Sequence, residues 1–161
     1  MVEKAEDLDK ICDVLDRLTL DALTMMQEEI ELKINAENAM IGGEMHLVKS
    51  RYILGQNNVS ALQLPSENGH EASALVKVHE TEDEFGLKQF DLESNKPDET
   101  RPNPIRWFGY LTPQSLSYAQ NLYRQALQWI VQAGNVQLRL TETCAQIEIL
   151  KKLKRTVLFA K

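Results

Sequence analysis

The residues that could bind a metal or a cofactor are scattered through the sequence. His46, His70 and His79 lack the i, i+4 spacing of a helical metal pair, and none has a cysteine partner nearby. Cys12 and Cys144 lie near opposite ends of the chain. We therefore expect no metal or cofactor site, ordinary surface histidines, and free thiols packed between helices, with a contact between the two thiols as the alternative.

Catalysis is not expected either. No nucleophile, base and orienting residue form a local motif. A slender hairpin of two helices also offers few concave sites that exclude water. The basic stretch 151–155 could touch acidic lipid, but it also complements the dipole of a helix C-terminus and the acids of the first helix. We prefer this structural interpretation of the basic stretch.

The most informative residues are Trp107 and Phe108, in the apolar cluster 105–111 that follows a polar, proline-rich stretch. Large aromatic side chains in such a place must be buried somewhere. They either pack on the end of the helices or anchor a partner protein, because desolvated aromatics contribute heavily to interface energy. The two interpretations are compatible, and both stay open.

A long first helix is predicted before this cluster, over residues 5–54. Apolar residues with a 3-4 spacing form its first seam: Leu8, Ile11, Leu15, Leu18, Ala22 and Met25. Past Glu29 the pattern slips by about one residue and resumes as Ile41, Met45, Val48 and Tyr52. Gly42 and Gly43 predict a bend or a close helix contact, and Gly55 predicts the end of the helix.

A second helix is predicted over residues 113–158, because Thr112 can cap free N–H groups and Pro113 suits the first helical position. Its predicted seam is long: Leu116, Ala119, Tyr123, Ala126, Ile130, Ala133, Leu140, Cys144, Ile147, Leu150, Leu153 and Val157. Several large apolar residues lie off both seams: Leu20, Leu23, Met26, Ile30, Ile34, Leu122, Leu127, Val131 and Leu138. Two helices alone would expose many of these, which favours a protein partner.

Charge predicts how the two helices pair. Residues 1–54 carry twelve acids and six bases, whereas residues 113–161 carry two acids and seven bases. An antiparallel pairing brings the acidic start of the first helix beside the basic end of the second. Exposed ion pairs contribute only about 0 to 1 kcal/mol each, so charge would select the orientation more than stabilise the fold.

The connector 55–112 is acidic and holds four of the five prolines. Weak alternation within 73–92 allows a small β-hairpin, and 94–104 is typical of extended or disordered chain. We expect 66–104 to be the most mobile region. The predicted fold is a single all-α domain over 1–161, a long antiparallel two-helix coiled-coil hairpin with a partly disordered acidic connector.

Size and net charge narrow the function. The 161 residues predict one domain, and a net charge of −6 argues against nucleic-acid binding, which needs a concentrated basic surface. No apolar run approaches the roughly 20 residues that span a bilayer, and the acidic N-terminus is unlike a signal peptide. We expect a soluble, non-secreted protein.

Two segments resemble the coiled-coil assembly factors of the vacuolar-type proton ATPase. The first is Arg106-Trp-Phe-Gly-Tyr-Leu-Thr-Pro-Gln-Ser-Leu116, followed by Ala119 and Gln120. The second closes the first helix: Leu47, Lys49, Arg51, Tyr52, Gly55, Val59, Ser60, Leu62 and Gln63. They flank the connector, in the order expected for the family.

The resemblance implies a non-catalytic chaperone on the cytosolic face of the endoplasmic reticulum, or of early secretory or endosomal membranes. It implies a small membrane-anchored partner and assembly of the ATPase membrane sector, with membrane association through partners rather than by insertion. Position predicts the site: Trp107, Phe108 and Leu111 dock at the tip formed by Arg51, Tyr52 and the second helix, and part of this surface contacts a partner.

Two alternatives differ in class. A generic cytosolic coiled-coil adaptor or tether would have no link to the proton pump, and its loss would leave the membrane sector assembled. A hydrolase or metal protein, the weaker alternative, would depend on a histidine or a cysteine rather than on Trp107.

Overall fold

The computed structural model describes residues 2–65, 73–84, 86–98 and 101–159, with side chains from residue 8 onward. Two long helices dominate it: α1 (Val2–Leu54) and α2 (Gln114–Phe159). Between them lie a 3₁₀ helix (Ala61–Gln63), strands β1 (Val76–Glu82) and β2 (Lys88–Ser94), and a second 3₁₀ helix (Pro104–Phe108). The predicted helices covered 5–54 and 113–158.

The all-α prediction is wrong in the strict sense, because β1 and β2 form an antiparallel sheet in which Val76 lies opposite Ser94 and Glu82 opposite Lys88. The hairpin occupies 76–94, close to the 73–92 predicted from weak alternation. Much of the predicted mobile connector is therefore regular structure, and residues 66–72, 85 and 99–100 lie outside the described residues.

The helices α1 and α2 pack side by side in antiparallel directions. One buried cluster joins Leu15 and Ala22 of α1 to Ile147 of α2. A second cluster nearer the connector joins Met25 and Leu32 to Ala133 and Val136. Most of the described hydrophobic core is thus a long seam between the two helices, and Val59 and Leu75 of the connector are also buried.

The seam on α1 does not slip after Glu29, contrary to the sequence prediction. Its half-buried and buried positions keep one seven-residue repeat: 8, 11, 15, 18, 22, 25, 29, 32, 36, 39, 43, 46 and 50. The residues predicted to continue the seam are instead exposed: Ile41, Met45, Val48 and Tyr52. Apart from His46, the inward positions past Leu32 are occupied by small residues: Ala36, Ala39, Gly43 and Ser50.

Small inward residues explain this register, because they let the backbones approach. A Cβ on Gly43 would lie 3.1 Å from the Tyr123 ring, and a Cβ on Gly42 would lie 3.2 Å from Leu122 Cδ1. Large α2 side chains fill the space that small α1 residues leave. The close helix contact predicted at the two glycines is confirmed.

The seam on α2 also differs from the prediction by one residue at several turns. Ile130, Cys144 and Leu153 are exposed, whereas Trp129 packs against the buried cluster of Ala133 and Val136. Apolar residues occupy adjacent positions at several places on this helix, so periodicity alone does not decide which of them faces α1. The thiol of Cys144 is free and exposed rather than in the core, and Cys12 is free and half-buried.

The charged side chains of the two long helices form intrahelical ion pairs in the described part of the chain. Lys33 pairs with Glu29 at 2.6 Å, and Lys151 pairs with Glu148 at 2.9 Å. Within residues 9–159 no interhelical pair comes within 4 Å. The opposite net charges of α1 and α2 therefore act at longer range, where they favour the antiparallel orientation without fixing particular contacts.

The β-hairpin docks on α2 through one side-chain amide. Asn135 Oδ1 accepts the backbone N–H of Phe90 at 2.7 Å, and Asn135 Nδ2 donates to the Phe90 carbonyl at 2.9 Å. The amide thus pairs with the free edge of β2 as another strand would. The Phe90 ring packs over Gly134, where an added Cβ would make an ordinary van der Waals contact with it at 3.6 Å.

No helix among the described residues combines the length and apolar character that a bilayer crossing requires.

Candidate functional site

The candidate site is the end of the structure where α1 stops and α2 starts, here called the tip (residues 46–64 and 103–120). Gly55 ends α1 with a φ of 87°, a conformation that glycine adopts without steric cost. Asn58 Nδ2 then donates to the Leu54 carbonyl at 2.7 Å, which satisfies one of the free carbonyls of the last turn. Gly55 and the hydrogen bond of Asn58 together fix the direction in which the chain continues after α1.

A buried pair of hydroxyl groups joins the helices at the tip. Ser50 and Ser115 hydroxyl oxygens lie 2.8 Å apart, and Ser50 Oγ also lies 2.9 Å from the His46 carbonyl. Since Ser50 has one proton, which it donates to that carbonyl, Ser115 donates to Ser50. One turn away, the rings of His46 and Tyr118 meet at 5.4 Å with an interplanar angle of 47°.

The aromatic segment is held against α2 by Asn103. Its side-chain oxygen accepts the backbone N–H of Ile105 at 3.3 Å, capping the 3₁₀ helix Pro104–Phe108, and accepts Gln120 Nε2 at 2.8 Å. The 3₁₀ helix ends at Gly109, whose φ is 116°. The Gly109 N–H donates to the Arg106 carbonyl at 3.2 Å, so hydrogen bonds fix both ends of the short helix that carries Phe108.

An open groove of about 260 Å³ lies between this segment and α1, and its lining brings Phe108 and Arg51 together. Leu47, Val59 and Leu64 contribute most of its remaining apolar wall. An apolar groove with one guanidinium at its edge suits an aliphatic or aromatic side chain that has a carbonyl or carboxylate beside it.

A second hollow also borders Arg51, and Val48 and Tyr52 line it. The side chain of Tyr52 is 89% exposed. Because Arg51 borders both the groove and the hollow, the two form one continuous surface at the tip.

The structure brings together only some of the predicted site residues. Arg51 and Phe108 share the groove, and Trp107 is half-buried beside it in the chain. Leu111, however, is 92% exposed and does not dock on the tip. The reason is Gly109, whose backbone conformation turns the chain so that Tyr110 and Leu111 project outward.

Sequence reasoning missed the hydroxyl pair of Ser50 and Ser115, and it missed Asn103. Ser50 lies seven residues after Gly43, and Ser115 lies four residues before Ala119, so both occupy positions of the buried seam. This spacing is the signal that could have revealed them. Asn103 directly precedes Pro104, a spacing typical of a helix cap.

Burial near the tip also affects one titratable group. Desolvation between the helices raises the pKa of the Tyr123 phenol, and the negative charge of Glu44 raises it further. Tyr123 therefore stays neutral at physiological pH and packs on Gly43 as an uncharged ring. Among the described residues, no group of three His, Cys, Asp or Glu side chains is placed to hold a metal ion.

Comparison with known proteins connects this architecture to one family. The chain is 31% identical to the vacuolar ATPase assembly protein VMA22 of Bos taurus over 153 residues, which cover 80% of this chain and 85% of the relative. It is 31% identical to the Mus musculus protein of the same name over 165 residues, covering 87% and 91%. The chain belongs to the VMA22 family.

The Homo sapiens VMA22 protein is 29% identical over 170 residues, covering 88% of this chain and 92% of the relative. The match spans nearly the whole length of each VMA22 protein, so family membership does not depend on the tip alone. The resemblance to vacuolar ATPase assembly factors seen in the two tip segments is confirmed. No protein-family model matches the chain.

Proposed function

We propose that this VMA22-family protein is a non-catalytic assembly factor for the membrane sector of the vacuolar-type proton ATPase. The observation that carries the proposal is its relationship, over most of its length, to proteins named vacuolar ATPase assembly protein. In this role the protein binds membrane-sector subunits during assembly and leaves afterwards. It thereby supports the acidification of organelles.

The proposal places the protein on the cytosolic face of the endoplasmic reticulum, beside a small membrane-anchored partner that holds it there. The proposed contact surface is the tip. Tyr52 and Leu111 expose large side chains around the groove that Phe108 and Arg51 line. Exposed aromatic, aliphatic and arginine side chains around a hollow are typical of protein interfaces.

The helices serve as the rigid support for this surface. We propose that α1 and α2 form a coiled-coil hairpin, because the buried positions of both follow a seven-residue repeat. A rigid pair of helices of 53 and 46 residues can hold a contact surface on the order of 70 Å from its far end. Such reach suits a factor that bridges a membrane partner and an incoming subunit.

The experiment is complementation in cells from which the chain has been removed. We would measure capture of the membrane partner and of the assembled membrane sector from detergent-solubilised membranes, together with organelle pH. The wild-type chain is expected to restore all three. If membrane-sector assembly is intact in cells without the chain, the proposal is wrong and the generic adaptor is favoured.

Two matched variants test the tip. Leu111→Ser changes an exposed side chain at the tip, whereas Leu158→Ser changes an exposed leucine near the opposite end of α2. Both should leave thermal unfolding unchanged. We expect Leu111→Ser alone to reduce partner capture, by about tenfold if Leu111 anchors the contact. Equal capture by both variants would remove Leu111 from the interface.

A further inference from the structure

The surface of α1 that faces away from α2 carries a row of large, exposed apolar side chains, here called the outer stripe. Its members are Leu20, Leu23, Ile30, Ile34, Ile41, Met45, Val48 and Tyr52, all at least half exposed. Ile34 lies two residues from both Leu32 and Ala36, which are buried, so it projects from the opposite side of the helix. The outer stripe spans about 50 Å of helix.

The spacing within the outer stripe is that of a helix-packing surface. Its members are three or four residues apart, except for steps of seven from Leu23 to Ile30 and from Ile34 to Ile41, and the buried seam of the same helix also has steps of three and four. Only Gln27 and Glu37 interrupt the pattern. A 3-4 repeat of large apolar residues fits the side chains of another helix.

The charges around the outer stripe indicate what kind of partner helix would fit it. Over the length of the stripe, residues 20–52, the sequence carries six acids, Asp21, Glu28, Glu29, Glu31, Glu37 and Glu44, and three bases, Lys33, Lys49 and Arg51, of which the last two lie at its C-terminal end. Lys33 pairs with Glu29 at 2.6 Å, so five acids remain beside the outer stripe without that compensation. All five are exposed.

We propose that the outer stripe binds an amphipathic helix of a partner protein, with an apolar face about as long as the stripe and Lys or Arg along its edges. Opposite charges at the edges of a helix pair select the partner and its orientation. A second copy of α1 would bring acids against acids, and an anionic lipid surface would be repelled. The stripe reaches the tip at Val48 and Tyr52, but its members from Leu20 to Met45 lie outside the tip, and the proposal does not depend on the proposed function.

The proposal is tested with purified full-length protein and two fluorescent peptides of about 30 residues that share one leucine face with a 3-4 spacing. One peptide has lysine along both edges and the other has glutamate. Fluorescence anisotropy should show the lysine peptide binding at least about tenfold more tightly, with affinity that falls as salt is raised. Equal binding of both peptides would overturn the proposal.

The protein variants separate a specific stripe from general attraction to an acidic chain. Ile34→Asn with Ile41→Asn leaves the charge unchanged and should weaken binding of the lysine peptide by at least about tenfold, since it puts polar groups in the centre of the stripe. Ile149→Asn, at an exposed isoleucine of α2, is the matched control and should bind normally. Unchanged binding by the double variant would overturn the proposal.

The same proteins test two other possible ligands of the outer stripe, a second copy of the chain and a lipid membrane. Sedimentation equilibrium of the wild-type chain should show a monomer, and flotation with phosphatidylserine vesicles should show no binding. A dimer that Ile34→Asn with Ile41→Asn dissociates would assign the outer stripe to a second copy. Vesicle binding that the same variant abolishes would assign it to a membrane. Either result would overturn the proposal.

Discussion

The two long helices differ in what covers the surface that each turns away from the other. On α2 the chain provides its own cover, because Asn135 holds the free edge of β2 and Gly134 receives the Phe90 ring. Val131 and Leu138, on the same side of α2, are half-buried. On α1 the described residues leave the corresponding side exposed, and Met45 there is 68% exposed.

On α1 the usual distribution of side-chain size between the inward and outward positions is reversed. Its inward positions past Leu32 carry small residues except at His46, whereas its outward positions carry isoleucine, methionine, valine and tyrosine. A helix that needed only to pack against α2 would gain stability from large inward residues and solubility from polar outward ones. The arrangement on α1 is therefore explained by a second packing partner.

The strongest test of the two sides of α1 compares Leu32→Ala with Ile34→Ala. Leu32 is 8% exposed in the buried cluster, and its truncation should lower the free energy of unfolding by about 2 to 3 kcal/mol. Ile34 is 50% exposed, so its truncation should change stability by no more than about 0.5 kcal/mol. Denaturant unfolding measures both, and equal losses would contradict the assignment of the two sides.

The docking of the β-hairpin on α2 is tested by Asn135→Ala. The change leaves the N–H and the carbonyl of Phe90 without their partner, which should cost about 1 to 2 kcal/mol. Hydrogen exchange should rise in β1 and β2 while the helices stay protected, because the hairpin undocks locally. The matched control is Gln137→Ala, at an exposed position on the same helix. Unchanged exchange in the hairpin would mean that other contacts hold it.

The small inward side of α1 is tested at its two glycines. Gly42→Ala places a Cβ against the flexible end of Leu122, so the higher helix propensity of alanine should stabilise the protein by about 0.5 to 1 kcal/mol. Gly43→Ala places a Cβ 3.1 Å from the Tyr123 ring and should lose that gain or reverse it. Thermal unfolding of the pair should therefore differ by about 1 kcal/mol. Equal stabilisation would show that the helices have room to separate there.

The smallest effect concerns the hydroxyl pair that closes the seam at the tip. Ser50→Ala and Ser115→Ala should each cost about 0.5 to 1 kcal/mol, since each leaves a buried hydroxyl with one hydrogen bond fewer. The double variant should cost less than the sum of the two. A double-mutant cycle by denaturant unfolding measures the coupling, and strictly additive losses would argue against the contact.

The candidate site was predictable only in part. The cluster around Trp107 and Phe108 stands out in the sequence because large aromatics follow a proline-rich stretch. The placement of Arg51 beside Phe108 follows from putting the end of α1 near the start of α2. Leu111 was expected to dock with them, but the backbone conformation at Gly109 directs it outward. Its role in partner binding stays a prediction.

The features that depend on neighbouring residues could be predicted from the sequence alone. The two helices, their end at Gly55 and start after Thr112-Pro113, the opposite charges and the small hairpin all follow from local spacing and capping. These features form within a few residues of chain, so a single sequence contains their signals.

Which apolar row of each helix is buried depends on how the two helices pack together. The rows through Ala36 and Gly43 and through Ile34 and Ile41 have the same 3-4 spacing, and the larger side chains would be the natural choice for a core. The choice depends on volume: Leu122 and Tyr123 of α2 need small residues opposite them, and large α1 residues would force the helices apart. Fit between surfaces some 80 residues apart in the sequence cannot be inferred from the periodicity of either one.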